Sequence, residues 1–454
     1  MKILFISANS ETYPYPVTPL GIAYLIQAVK ERGHQSATCD LCFEDNKPAA
    51  LTQIVADFKP DFIAVSIRNI DNTSYLNPFF YLEDIKELLR LVKQKTPAPM
   101  ILGGSGFSLF PEEILRFLEL NFGIKGEGEN ALPQWIDAIH NRTGFQGIKN
   151  LCYLYEKRFI QNPLERIDKI STPDRSGLQN RRYFELGGMA NLETKRGCPF
   201  TCDYCSYPLI HGKKARLREP TEIIEELYQL QTREGIDHVF FTDDIFNHPL
   251  EHALEICEGM IRRELKINWF CFATPRAVSF DEASLMKKAG CMGVEFGSDA
   301  GSELTLKGHG KSFGLEDIKT TILNCQKAKL PQAHYLILGG PEESLDSLKE
   351  TVEFYKTHRP NAVIASVGVR IFAETTLRLR AIKEGIITPE QNLLRPAFYL
   401  SPAINKNQFI HQLRQLIVKE TNWIVPDLKI GPEKKTLEFL REKGIKGPLW
   451  NLLS

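Results

Sequence analysis

The sequence predicts an α/β protein built from two parallel-sheet domains followed by a mainly helical C-terminal region. Three observations predict it. Strand-like runs alternate with amphipathic helical patterns, and this alternation occurs twice along the chain. Short polar, glycine-rich loops follow the strands. A length of 454 residues exceeds what one compact core holds, so two or three domains are expected.

The first domain is assigned to residues 1–144. Its strands are "KILFIS", "QSATCD", "DFIAVSI", "PMILGG" and "FGIKGE", separated by helical patterns at 19–32, 48–58, 81–95, 111–120 and 130–141. This order gives a doubly wound, Rossmann-like parallel sheet, whose ligands bind at the carboxyl ends of its strands. The loops there are "SANSETYPYPVTPLG", "SIRNIDN", "GGSGFSLFP" and "GEGEN". Gly104, Gly106, Gly126 and Gly128 would let a large ligand approach the backbone, and Ser105, Gly106 and Ser108 offer donors to phosphate or amide groups.

Residues 145–190 read as a connector holding a hairpin, "NLCYLYEKRFIQNP", and the turn-rich "STPDRSG". From 191 to 384 the alternation resumes, with strands "NLETKR", "HVFFTDD", "NWFCFAT", "GVEFGS", "AHYLILGG" and "NAVIASVGVRIF". Helical patterns fall near 221–234, 249–264, 281–289, 316–328 and 344–357. Six β-α units without a seventh or eighth imply a partial (β/α)6 TIM-type barrel, with its chemistry at the strand carboxyl ends. Residues 385–454 read as a loop and an amphipathic helix, with Phe398, Tyr399 and Trp423 available to line a pocket.

Acidic and basic residues number 56 each, which removes any bulk electrostatic drive toward nucleic acid or anionic membranes. "MKILFISANS" reads as a first strand and not as a signal peptide. No stretch reaches the roughly 18 apolar residues of a transmembrane helix, and a cytoplasmic protein is expected. Ten cysteines are too few and too scattered for a disulfide framework. Cys39, Cys42, Cys152, Cys257, Cys271, Cys291 and Cys325 sit mostly in apolar contexts and read as buried structural residues.

The other three, Cys198, Cys202 and Cys205, crowd into "KRGCPFTCDYCSY" directly after the first barrel strand. Zinc would need a fourth ligand, for which His211 is the nearest candidate, and structural zinc usually takes its ligands as two pairs. A cubane iron–sulfur cluster on three thiolates would keep one iron open to a small molecule.

The C-x-x-x-C-x-x-C loop, with Tyr204 before its last cysteine at the end of a barrel's first strand, resembles the radical S-adenosylmethionine (radical SAM) superfamily. That resemblance implies a [4Fe–4S] cluster on Cys198, Cys202 and Cys205, S-adenosylmethionine on the open iron, and Tyr204 near the adenine. "FTDDIF", with Asp243 and Asp244, stands where the family contacts the methionine amine, although the family's glycines are absent. In "GVEFGSDAGSE", Glu295 and Ser298 would approach the ribose or carboxylate; in "YLILGGPEES", Gly339 and Gly340 would back the adenine.

A doubly wound domain ahead of such a barrel, opened by "PLGIAYLIQAVKERGH" and closed by "GEGEN", resembles the cobalamin-binding class of this superfamily over roughly residues 1–385. Cobalamin would then contact Ser66, Asn69, Asp71, Gly104, Ser105, Gly106, Ser108, Gly126, Glu127, Gly128 and Glu129. The Asp-x-His-x-x-Gly motif that places histidine on cobalt is absent, since His34 and His140 lack it. Arg68 is the residue expected to face cobalt as a buried cation, unless it simply pairs with Asp71.

The resemblance implies an enzyme that moves a methyl group from S-adenosylmethionine through methylcobalamin to a carbon of a small-molecule, natural-product or lipid substrate. Electrons would come from an external donor such as flavodoxin or ferredoxin. Radical and polar transfer both remain open, as do cyclisation and rearrangement. A non-catalytic redox or light sensor would require an output module such as a helix-turn-helix, and none is found in the sequence.

Overall fold

A computed structural model of the chain describes residues 1–453. It divides into two units. The first comprises Met1–Asn72, Phe79–Asn180 and Leu209–Gly212; the second comprises Thr73–Pro78, Arg181–Pro208 and the chain from Lys213 onward.

The first unit is built on strands β1 (Lys2–Ser7), β2 (Gln35–Asp40), β3 (Phe62–Ser66), β4 (Met100–Gly103), β5 (Phe122–Ile124), β6 (Leu151–Tyr155) and β7 (Arg158–Gln161), in the order β2-β1-β3-β4-β5-β6-β7. The first five pair in parallel, and the order reverses between β1 and β3, so the loops after those strands flank the crevice where such folds take ligands. Ile3, Phe5, Ile22, Ile26, Phe62, Ile101, Trp135 and Ile136 share one core. They come from alternate strand positions and from one face of the helices Leu20–Glu31 and Ala131–Asn141.

Two features depart from the sequence reading. The hairpin placed in a connector, β6 and β7, adds antiparallel strands to this sheet. Part of the loop after β4 is a short helix, Ser105–Leu109, whose Phe107 ring occupies the space over Gly123.

The second unit holds β8 (Ala190–Leu192), β9 (Lys195–Arg196), β10 (Arg216–Leu217), β11 (His238–Phe241), β12 (Asn268–Ala273), β13 (Cys291–Asp299), β14 (Gln332–Leu338), β15 (Ala362–Val367), β16 (Val369–Arg370), β17 (Phe398–Tyr399) and β18 (Trp423–Ile424). Its main sheet runs β18-β15-β14-β13-β12-β11-β8, parallel throughout. The six predicted strands are present, and β18 adds a seventh from the region expected to be mainly helical. Trp423, expected to line a pocket, lies in the core of that strand's junction with the helices Leu345–His358 and Lys406–Ile417.

The inner face of the sheet is small at its amino end. Gly293, Ala333 and Ala362 leave room there for the indole of Trp450, carried by the 3-10 helix Leu449–Leu453. Trp450 is 4% exposed, so the C-terminal segment seals that end of the sheet's interior. Among the described residues, no helix is long and apolar enough to cross a membrane.

Candidate active site

The cysteine loop leaves β8 through a turn fixed by one carboxylate. Asp243 accepts from Thr194 N at 2.6 Å, Thr194 Oγ1 at 2.5 Å and Lys195 N at 3.2 Å. Its burial pushes the carboxyl up to about 6 against the opposing pull of Lys195. Lys195 in turn donates to Phe246 O and His248 O, at 2.6 and 3.2 Å. Asp243, expected to contact S-adenosylmethionine, is thus taken up in shaping the loop. Asp244 is half-buried and near enough to Cys198 and Cys205 to push both thiols up, secondary to their burial.

Cys198 is buried and Cys202 and Cys205 are half-buried. Burial pushes Cys198 up to about 11 and Cys205 to about 12, and raises Cys202. Cys202 pushes up both other thiols and Cys198 pushes up Cys205, yet among the described residues no three His, Cys, Asp or Glu side chains converge on a single ion. A cubane takes one thiolate at each of three irons, a wider spacing, and three thiols on one short loop fit that group.

The loop is held from its far side by a segment that sequence reasoning missed. Asp203 N donates to His309 O at 3.1 Å, and Asp203 O accepts from Leu377 N at 2.9 Å. Gly310, at φ 70°, passes so close that a side chain there would lie 2.7 Å from Asp203 Oδ1. Tyr204 donates its phenol proton to Asp299 Oδ2 at 2.6 Å and stands edge-on to His309, with ring centroids 5.7 Å apart. Lys311 pairs with Asp299 at 2.5 Å and reaches Cys202 Sγ at 3.5 Å. The sequence signal was "KGHGK", two glycines and three bases after the fourth barrel strand.

The other barrel residues singled out in the sequence have partners within the protein. Glu295 is buried, accepts from Trp450 Nε1 at 2.8 Å and is pushed up to about 7 by burial. Ser298 is buried against His334 Nδ1 at 2.7 Å. Gly339 and Gly340 give way to Leu400 and to the His309 ring. Tyr399 is buried with its hydroxyl on Glu384, so neither it nor Trp423 lines a pocket, while Phe398 is half-buried beside Tyr75. The interior wall is instead aromatic through Phe240, Phe272 and Tyr335, with ring centroids 4.8 and 6.3 Å apart in succession. A side chain at Gly297, on the neighbouring strand, would meet nothing within 4 Å.

At the carboxyl edge of the first unit the loops after β3 and β4 lie against each other. Ile67 N donates to Gly103 O at 2.8 Å, Gly106 N to Ile67 O at 3.0 Å, and Ser105 Oγ to Arg68 O at 3.2 Å. Side chains at Gly104 or Gly106 would come within 2.5 or 2.7 Å of that backbone, so these glycines serve loop packing. A side chain at Gly103 would make ordinary contact with Ile124 O, at 4.0 Å. Ser108 is buried, donating to Gly104 O at 2.8 Å and accepting from Gly126 N at 2.9 Å.

Gly126 clears the Arg166 guanidinium, Gly128 packs on Leu25, and the buried Glu127 accepts from Ile167 N at 2.7 Å. Arg68, expected as a buried cation, is exposed, and among the described residues its guanidinium forms no ion pair with the buried Asp71. Ser66, Asn69, Ser105 and Glu129 are half-buried along this edge. Exposed cation and polar side chains fit a broad ligand carrying amides.

Comparison with known proteins joins these halves. The profile of the radical SAM superfamily matches residues 192–355, and that of the B12 binding domain matches residues 6–136. The chain is 27% identical over 369 residues to an uncharacterized methyltransferase of Pyrococcus horikoshii, covering 78% of each chain. It is 23% identical over 428 residues to tryptophan 2-C-methyltransferase of Streptomyces laurentii, covering 78% of this chain and 70% of that one. Its fold matches the radical S-adenosylmethionine methyltransferase TsrM of Kitasatospora setae, solved with cobalamin and a [4Fe–4S] cluster, at TM-score 0.90 and 21% identity over 100% of this chain and 97% of that one. Residues 192–355 thus carry a radical SAM domain and residues 6–136 a B12 binding domain, and these two domains imply a [4Fe–4S] cluster, S-adenosylmethionine and cobalamin as cofactors.

Proposed function

We propose that the protein is a cobalamin-dependent methyltransferase that moves a methyl group from S-adenosylmethionine, by way of cobalamin, to a carbon of a small hydrophobic or aromatic molecule. The observation that carries this reading is the three-thiol loop at the carboxyl end of β8, in a chain that also holds a B12-binding domain. When bound, the cluster supplies single electrons, S-adenosylmethionine the methyl group and cobalamin a methyl carrier.

The chain's own residues supply place and shelter. Cys198, Cys202 and Cys205 hold the cluster, and Asp244 beside them takes the methionine amine. Tyr204, kept neutral by burial and Asp299, presents an uncharged ring to the adenine. Phe240, Phe272, Tyr335 and the space at Gly297 form an apolar wall that orients substrate and excludes water. Ser66, Arg68, Asn69, Ser105 and Glu129 receive cobalamin, and cobalt takes no histidine, because no histidine of the chain carries the Asp-x-His-x-x-Gly motif. Electrons come from a flavodoxin- or ferredoxin-type donor in a reducing, cytoplasmic setting.

The test is turnover by anaerobically reconstituted enzyme with reductant, methyl-deuterated S-adenosylmethionine and a panel of aromatic molecules that includes tryptophan, the amino acid named for one relative. A labelled product with S-adenosylhomocysteine is expected; one 5′-deoxyadenosine per turnover would add the radical route. A product without label would overturn methyl transfer in favour of cyclisation or rearrangement.

A further inference from the structure

The ammonium of Lys311 is buried, its side chain 6% exposed, with Nζ 5.6 Å from the ring centroid of Tyr204 and 5.7 Å from that of Phe313. An ammonium has three protons to donate and no acceptor capacity, so each partner around it is informative. Here they are Asp299 Oδ2 at 2.5 Å, Gly297 O at 3.3 Å, Tyr204 OH at 3.4 Å and Cys202 Sγ at 3.5 Å. Three are oxygens that any buried lysine would seek. The fourth is a sulfur, a weak acceptor as a thiol and a strong one as a thiolate.

The arrangement is held in place at some local expense. Asp299 adopts φ 65°, a left-handed conformation uncommon for a residue with a side chain, and from there its carboxylate receives both Tyr204 and Lys311. The 309–311 segment is fixed to the cysteine loop by the Asp203–His309 backbone bond and by the close approach at Gly310. Cys198 and Cys205 receive backbone N–H groups, from Phe200 and Tyr207, and Lys311 acts on Cys198 through space. Among the described residues, Cys202 is the thiol of this loop that a cation reaches within hydrogen-bond distance.

We infer that Lys311 is a positioning residue for the cluster: its ammonium holds Cys202 Sγ in place and makes the cluster easier to reduce. The inference rests on the cluster reading above. Hydrogen bonds and positive charge at a ligand sulfur favour the more negative, reduced state, and neutral backbone donors do so less. Asp299 tempers the effect by compensating the charge.

The experiment is anaerobic reconstitution of wild type, Lys311→Met, Lys311→Arg and Asp299→Asn, with iron and sulfide counted. The one-electron midpoint potential is then followed by electron paramagnetic resonance during titration with dithionite. Lys311→Met should lower the reduction equilibrium constant at least tenfold, about 59 mV for one electron. Lys311→Arg should stay within about threefold of wild type, and Asp299→Asn should shift in the opposite direction. An unchanged potential in Lys311→Met at wild-type iron content overturns the inference, since a purely structural lysine would alter occupancy and not potential. If Lys311→Met holds no cluster, Asp299→Asn decides: an upward shift supports the inference and an unmoved potential overturns it. A wild-type chain that takes up no cluster would instead overturn the cluster reading itself.

Discussion

Asp243 and Asp244 are chemically alike neighbours, and their different fates depend on direction. Side chains at a strand's end alternate in direction, so Asp243 turns to the amides of the cysteine loop while Asp244 faces the thiols. The sequence located both carboxylates at the right strand end but carried no information on which would be absorbed by backbone donors. Asp243→Ala leaves Thr194 N and Oγ1 and Lys195 N without their acceptor; unfolding should show a loss of about 2–4 kcal/mol. Cys202→Ala should abolish cluster uptake with little change in fold, measured as iron and sulfide content; unchanged content would contradict the ligand assignment. The cysteines were legible because their chemistry lies in spacing alone. Lys311 was not, because it reaches Cys202 from 109 positions away in the chain.

Elements with a full amphipathic period were read within a residue or two, as with the helix Leu345–His358, whose Ser344 cap marks its start. Two-residue strands were not: β18 is set by pairing with β15 and has no periodicity of its own. The inner face of β13 and β14 was also hidden, since Gly293 and Ala333 look featureless until Trp450 occupies them. Trp450→Ala should therefore cost about 3–5 kcal/mol in denaturant unfolding, through lost burial and a Glu295 carboxyl left without its indole donor.

On the opposite side, Gln332 donates to Ile322 O, which turns its Oε1 to His334 Nε2–H and leaves Nδ1 to accept from Ser298. Burial pushes His334 down to about 3 and His309 to about 4, from an ordinary 6.5. The unfolded chain therefore binds protons first as pH falls. Stability contributed by these neutral rings is full above about pH 6.5 and declines toward the folded values, by about 2 kcal/mol per ring between pH 6.5 and 5. Glu295 and Asp243, raised by burial, act in the reverse sense. The measurement is thus a difference: melting of wild type against His334→Gln, in which the variant should lose less stability on acidification.

At the scale of the molecule, alternation of strands and helices made both parallel sheets legible, since each β-α unit writes its own period. The front edge was harder, because glycines that pack loops and glycines that admit ligands look the same in sequence. The absence of an Asp-x-His-x-x-Gly motif carries a chemical expectation. Cob(II)alamin bound to the protein should give an electron paramagnetic resonance spectrum without nitrogen superhyperfine splitting, and clear splitting would place an axial nitrogen on cobalt.

That one chain uses both S-adenosylmethionine and cobalamin for methyl transfer can be tested without knowing the substrate. Reconstituted protein carrying reduced cobalamin is given S-adenosylmethionine with a trideuterated methyl, and the cobalamin is recovered in the dark for mass spectrometry. The account predicts cobalamin bearing the intact labelled methyl, matched by an equal amount of S-adenosylhomocysteine. Unlabelled cobalamin, with S-adenosylmethionine either intact or cleaved only to 5′-deoxyadenosine, would contradict it.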